Sequence, residues 1–242
     1  MHDSRSAARS FSSTHWSVVA EAAASNLPGS RDALELLCRA YWSPLFHYAL
    51  RAGHNREDAR DLTQAFFQHL IEKSFLAAAD PQRGKFRSFL LAGFKHFLAH
   101  ERDKAAAQKR GGGVQWLPLD AAPEEAPLFA EPADRLTPDR VFEQQWAVAL
   151  FEQVLGRLRE EFRISGQEEL FDQFKHFLAG EPGERYVQVA ARLHMTEGAA
   201  KMFVSRLRGR YRQLLRSEIA RTVTSVTEID EEIQYLRTLF SR

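Results

Sequence analysis

Apolar residues recur along this chain at steps of three and four nearly throughout, and few runs alternate in twos. That period belongs to helices with one buried face, so the pattern predicts an all-α protein without a convincing strand. Leu34, Leu37 and Tyr41 form one stripe, Leu62, Phe66 and Leu70 a second, and Phe86, Phe89, Leu90 and Phe97 a third, all expected in one bundle. Pro44, Gly53 and Asp80-Pro81-Gln82-Arg83-Gly84 are read as the places where these helices stop and turn. The period fails from Gly111 to Pro138, where a glycine triplet is followed by Pro118, Pro123, Pro127, Pro132 and Pro138. This stretch reads as a flexible linker, and Asp120, Glu124, Glu125, Glu131 and Asp134 against Arg135 make it acidic. Helical spacing resumes with Val148, Phe151, Leu155, Leu158 and Phe162, then Leu170, Phe171, Phe174, Phe177 and Leu178, until Gly180-Glu181-Pro182-Gly183. The expected organisation is a disordered tail over 1–13, a helical domain over 14–110, a linker over 111–140, a second helical domain over 141–222 and a helical extension over 223–242.

The 242 residues suffice for one or two domains, each with its own core. Lys and Arg number 33 against 32 Asp and Glu, so overall charge favours no partner and any nucleic-acid role must come from local segregation of charge. The single cysteine, Cys38, excludes an internal disulfide framework and a multi-thiolate zinc site, which points to a reducing compartment. No run approaches the ~20 apolar residues of a membrane span. Met1 to Ser13 has Arg5, Arg9 and five serines but no apolar segment of the kind a secretory signal carries. A cytoplasmic protein with no membrane attachment is expected.

Two basic regions carry the functional signal. Tyr186, Val189, Ala190 and Leu193 predict a short helix, His194-Met195 a tight turn, and Thr196 the N-cap of a second helix with Glu197 in its first turn. This is a helix-turn-helix pattern. The second helix is expected to bury Ala200, Phe203, Leu207, Tyr211 and Leu214 and to turn Lys201, Ser205, Arg208 and Arg212 outward. From Lys201 to Arg221 seven Lys and Arg, Arg206 among them, face one acid, Glu218, a balance suited to phosphate contacts in a major groove. The other region runs from Arg83 to Arg110, where Arg83, Lys85, Arg87, Lys95, Arg102, Lys104, Lys109 and Arg110 are interleaved with Phe86, Phe89, Phe94 and Phe97. Cations hold a phosphate backbone and exposed rings stack on unpaired bases, although most of these phenylalanines are read as core.

His96 and His100 are spaced i, i+4, which suits two metal ligands on one helix face. The residues between them, Phe97-Leu98-Ala99, lack the glutamate of a zinc-protease motif, and His47, His54 and His69 are not tied to them by spacing. Surface or DNA-facing histidines are the better reading, so no metal, cofactor or catalytic residue is assigned. Gly111-Gly112-Gly113 lacks the Lys-Ser/Thr of a phosphate loop and is read as spacer.

Three stretches in order resemble the bacterial RNA polymerase sigma factors of the small extracytoplasmic-function type. They are Asp61-Leu62-Thr63-Gln64-Ala65-Phe66-Phe67, Gly84-Lys85-Phe86-Arg87-Ser88-Phe89-Leu90-Leu91, and Met195-Thr196-Glu197-Gly198-Ala199-Ala200-Lys201 through Arg206-Leu207-Arg208. The resemblance covers most of residues 14 to 220. It implies that Asp61 and Gln64 contact core RNA polymerase. It further implies that Arg83, Lys85, Phe86, Arg87, Lys95, His96, His100 and Arg102 meet the −10 element of promoter DNA, and that Lys201, Ser205, Arg206, Arg208 and Arg212 meet the −35 element. Departures from the family pattern are Ala65 in place of an acid, His96 and His100 in place of Asn and Asp, and Met202-Phe203 in place of Ser-Arg.

Residues 228–242 exceed what the family needs, yet Ile229, Ile233, Leu236 and Phe240 mark one helix face. Carboxylates Glu228, Asp230, Glu231 and Glu232 crowd its start, and a helix of about 15 residues must pack on something to persist. Expected partners are therefore core polymerase, promoter DNA, and either an anti-sigma factor or this C-terminal helix acting in self-inhibition. Two alternatives remain open: a helix-turn-helix regulator that does not use polymerase, and a metal-dependent hydrolase built on His96 and His100.

Overall fold

The structure, a computed structural model, describes residues 16–24, 29–72, 75–111, 136–179, 185–223 and 225–241. The expected tail over 1–13, linker residues 112–135, the Gly180 to Gly183 break and the side chains of Lys109 and Arg110 lie outside the described residues. Among the described residues every regular element is helical. In chain order these are α1 (Trp16–Ala23), α2 (Ser30–Arg51), α3 (Arg56–Glu72), α4 (Phe86–Gly111), α5 (Pro138–Ile164), α6 (Glu168–Phe174), α7 (His176–Ala179), α8 (Tyr186–Arg192), α9 (Glu197–Ile219) and α10 (Val226–Leu239), with 3-10 turns over Phe75–Ala78 and Pro81–Arg83. No described helix is long and apolar enough to cross a membrane.

Helix α2 buries Ala33, Leu37, Tyr41, Leu45 and Tyr48, a stripe at steps of four and three. It runs straight through Pro44, which was expected to end a helix. Proline forfeits one backbone hydrogen bond inside a helix, and here the burial of Tyr41, Pro44 and Leu45 on consecutive turns holds the segment helical regardless. The remaining stops act as expected. Gly53 and Gly84 take φ of 101° and 117°, a region closed to most side chains, and Asp80 caps the 3-10 turn by accepting from the Gln82 amide at 2.9 Å.

An aromatic cluster fills the first half of the chain. Phe66 of α3 meets Phe94 edge-on at 5.1 Å and also contacts Phe75 and Phe97. Tyr41 joins Phe86 at 5.6 Å on one side and stacks on Phe142 of α5 at 6.5 Å on the other. That last contact spans the expected linker.

Helix α5 opens at Pro138, ten residues before the periodicity resumes in sequence, because Thr137 accepts from the Arg140 amide and Pro138 suits a first helical turn. Its 27 residues reach about 40 Å. The near end lies against α2, its most extensive packing in the molecule, while the far end meets α9 through Phe162 and Phe203, 5.6 Å apart. The buried apolar residues on both sides of the expected linker thereby form one continuous core.

Candidate functional site

Helix α8 and helix α9 are joined by four residues. His194 takes φ of 52°, Thr196 is extended, and its hydroxyl accepts from the Ala199 amide at 3.2 Å, as an N-cap does. The pair is held from behind by aromatic packing: Phe203 lies 5.0 Å from Phe174, and Phe177 stacks on Tyr186 at 4.4 Å. Helix α9 buries Ala200, Val204, Leu207, Leu214, Glu218 and Ile219, so Val204 takes a place expected of Phe203, which with Tyr211 is half-buried. Burial pushes the Tyr211 phenol up to about 12.

Lys201, Ser205, Arg206 and Arg212 are exposed on α9. Arg208, expected beside them, is half-buried because its guanidinium donates to the Phe177 carbonyl at 2.8 Å. Part of the basic stripe is neutralised within the chain. Arg210 forks onto Glu161 of α5 at 2.7 and 2.6 Å, holding that carboxyl below its ordinary range, and Arg216 pairs with Asp230 of α10. Lys201 pairs with Glu197 one turn earlier, where both stay exposed. Met202, 58 % exposed in the same stretch, is an apolar side chain that the amphipathic pattern does not account for.

The region after Gly84 departs further from expectation. Phe86 and Arg87, assigned to DNA, are both only 3 % exposed. Phe86 is core, packed edge-on against Trp16 and Tyr41. Arg87 donates to Glu143 of α5 at 2.8 Å, pairs with Glu232 of α10 at 2.6 Å, and lays its guanidinium 4.1 Å from the centre of the Trp146 ring. Glu232 also pairs with Lys85, which is half-buried and 5.5 Å from the Tyr235 ring. Burial raises the Glu143 carboxyl, against the opposing pull of Arg87. Lys95 is exposed and pairs with Asp139 at 2.6 Å. Arg83, His96, His100 and Arg102 are exposed, with His100 Nδ1 3.6 Å from Glu101.

On α3 the exposed residues Asp61, Gln64, Gln68 and Ile71 fall at steps of three, four and three, one face of a helix. The opposite face buries Ala59, Thr63, Phe66, Phe67 and Leu70. Thr63 takes the core position expected of Leu62, its hydroxyl bonded to the Ala59 carbonyl at 2.7 Å. Among the described residues no cluster of three or more His, Cys, Asp or Glu is placed to hold a metal ion.

No family model, curated protein or solved structure matches this chain.

Sequence reasoning missed the residues that surround Arg87, namely Glu143, Trp146, Glu232 and Tyr235. One signal was present. Glu232 falls between Ile229 and Leu236 at helical steps of three and four, on an apolar face, and a carboxylate there needs a buried cation. The identity of that cation required the fold, since Glu232 and Arg87 are 145 positions apart in the chain.

Proposed function

We propose that this chain is a sigma factor of the extracytoplasmic-function type, which binds core RNA polymerase and directs it to promoters in the cytoplasm, with no catalytic chemistry of its own. The observation that carries the reading is the α8–α9 pair. A short helix, a tight turn with a left-handed residue and a Thr-capped longer helix with Lys201, Ser205, Arg206 and Arg212 exposed form a geometry suited to a major groove. Residues at the start of such a helix approach base edges and those farther on hold phosphates, so Lys201 and Ser205 are the readers and Arg206 and Arg212 the anchors. Support for polymerase binding comes from the Asp61 and Gln64 face of α3, which no other part of the chain covers among the described residues.

A helix-turn-helix regulator that works without polymerase is the second reading. It is favoured by the burial of Phe86 and Arg87, two residues a promoter-melting surface would present.

The deciding experiment is co-purification with core RNA polymerase, followed by transcription from a library of promoter fragments. Wild type should be retained on core polymerase and support defined start sites. D61A/Q64A should fold normally, because exposed substitutions usually change stability by ~0.5 kcal/mol or less, and should lose retention. Retention of neither form, with sequence-specific DNA binding intact, would establish the regulator.

A further inference from the structure

Helix α10, the last described helix, packs on α5 and α9 and meets Lys85 and the start of α4 through its buried carboxylate. Its buried face is Ile229, Glu232, Leu236 and Leu239, and the carboxylate at its centre meets Lys85 and Arg87. Its other polar fastenings are peripheral. Asp230 pairs with Arg216 on the exposed side, Arg140 donates to the Thr238 carbonyl at 3.0 Å, and Gln144 donates to the Leu239 carbonyl at 2.6 Å. An open cleft of about 510 Å³ runs beside this seam, lined by Ser88, Lys95, Asp139, Arg140 and Tyr235 among others.

A buried ion pair is a weak fastener, because desolvating the charges offsets most of their attraction, and an apolar side chain in the same place holds as well or better. It is nevertheless a selective one. A carboxylate buried between two cations offers them two oxygens, as a phosphate does, and Arg and Lys receive either group with the same donors. The cations beneath Glu232 also belong to the basic series that begins at Arg83 and continues through Lys95 and Arg102.

We propose that α10 is an intramolecular acidic strap: Glu232 occupies the place of a nucleic-acid phosphate on Lys85 and Arg87, and a nucleic-acid strand displaces it. With α10 lifted, Arg87 keeps Glu143 and the Trp146 ring, so it stays oriented while one side of its guanidinium opens. Lys85 is then freed two residues after exposed Arg83. This inference rests on the nucleic-acid reading above, but not on polymerase.

The test uses the full chain as wild type, E232Q and D230A, with a single-stranded DNA oligomer and no polymerase. E232Q should bind the oligomer on the order of tenfold more tightly, within the usual range of coupling between linked events. Once α10 is lifted the strand meets the same two cations in either protein, so the difference should appear in affinity while the log–log salt slopes of wild type and E232Q stay alike. D230A removes only an exposed pair and so keeps the fold; it should shift affinity the same way by less. In wild type, adding oligomer should speed amide hydrogen exchange across residues 226–239. If all three proteins bind with one affinity, and exchange in α10 ignores the oligomer, the strap is wrong and the nucleic-acid reading survives. If none binds even where exchange finds α10 released, the nucleic-acid reading falls and takes the strap with it.

Discussion

Arg87 is where charge and packing conflict most sharply. Its guanidinium is buried between two carboxylates and one indole ring, so truncation leaves Glu143 and Glu232 facing each other with one cation fewer. Breaking a buried pair from one side typically costs ~3–5 kcal/mol. R87A should lose stability of that order in denaturant unfolding, whereas R102A, on the exposed side of the same helix, should change it by ~0.5 kcal/mol or less. The two arginines look alike in sequence. Glu143 adds a pH dependence whose sign is opposite to that of ordinary ion-paired carboxylates. Burial raises its folded value above the unfolded one, so between those values the folded state binds more protons than the unfolded state. Stability contributed at this site therefore rises as pH falls through the raised value toward the ordinary glutamate range near ~4.3. Asp230 runs the other way. Arg216 lowers its folded value, so its contribution is present above the ordinary aspartate range and is lost only as pH falls through the lowered value. Thermal melts of wild type and E143Q should thus diverge as pH is lowered from neutral toward the ordinary glutamate range, with wild type gaining on the variant as acid is added; parallel curves would remove Glu143 as the cause.

Helix α4 is the element on which packing overrides propensity. Gly93 lies in its interior, where alanine favours the helix by ~1 kcal/mol. A Cβ at that position runs into the ring of Phe75, which is itself fixed 4.8 Å from Phe89 and 6.1 Å from Phe66. Overpacking a fixed core costs ~1–3 kcal/mol, so G93A should be net destabilising, by about 1 kcal/mol, despite its better helix former. An unchanged or raised melting temperature would mean that the Phe75 ring yields. Helix α10 offers a second case. Its stripe in sequence, Ile229, Ile233, Leu236 and Phe240, is turned by about one residue in the structure, which buries Glu232 and Leu239, half-buries Ile233 and leaves Phe240 exposed against Phe151. An isolated amphipathic pattern favours Ile233 over Glu232. The basic pocket under α10 reverses that choice.

For the whole molecule, the decisive contact is α5 on α2. Phe142 is fully buried against Tyr41, and the same helix reaches α9 one core length away. A chain whose halves share a helix and a continuous core should unfold as one unit. Far-ultraviolet circular dichroism and tryptophan fluorescence should therefore give coincident denaturant curves. F142A should lower both together, by the ~3–5 kcal/mol usual for a large buried aromatic. Two separated transitions would mean that the halves are independent and that α5 on α2 is a weak docking contact.

The helical class, the Thr196 cap, the turn at His194 and the exposed face bearing Asp61 and Gln64 were legible in the sequence, because each depends on residues within a turn or two of one another. Local spacing also separated the α8–α9 region from the rest. What the sequence left open is long-range: whether Arg87 faces solvent or Glu232, and whether Pro44 ends a helix. Each of these is decided by partners farther away in the chain, Glu232 for Arg87 and the helices packed on α2, α5 above all, for Pro44. Charge and periodicity describe what a side chain offers, and only the tertiary structure determines whether water or another part of the chain receives it, because burial trades hydration against contacts that no local pattern specifies.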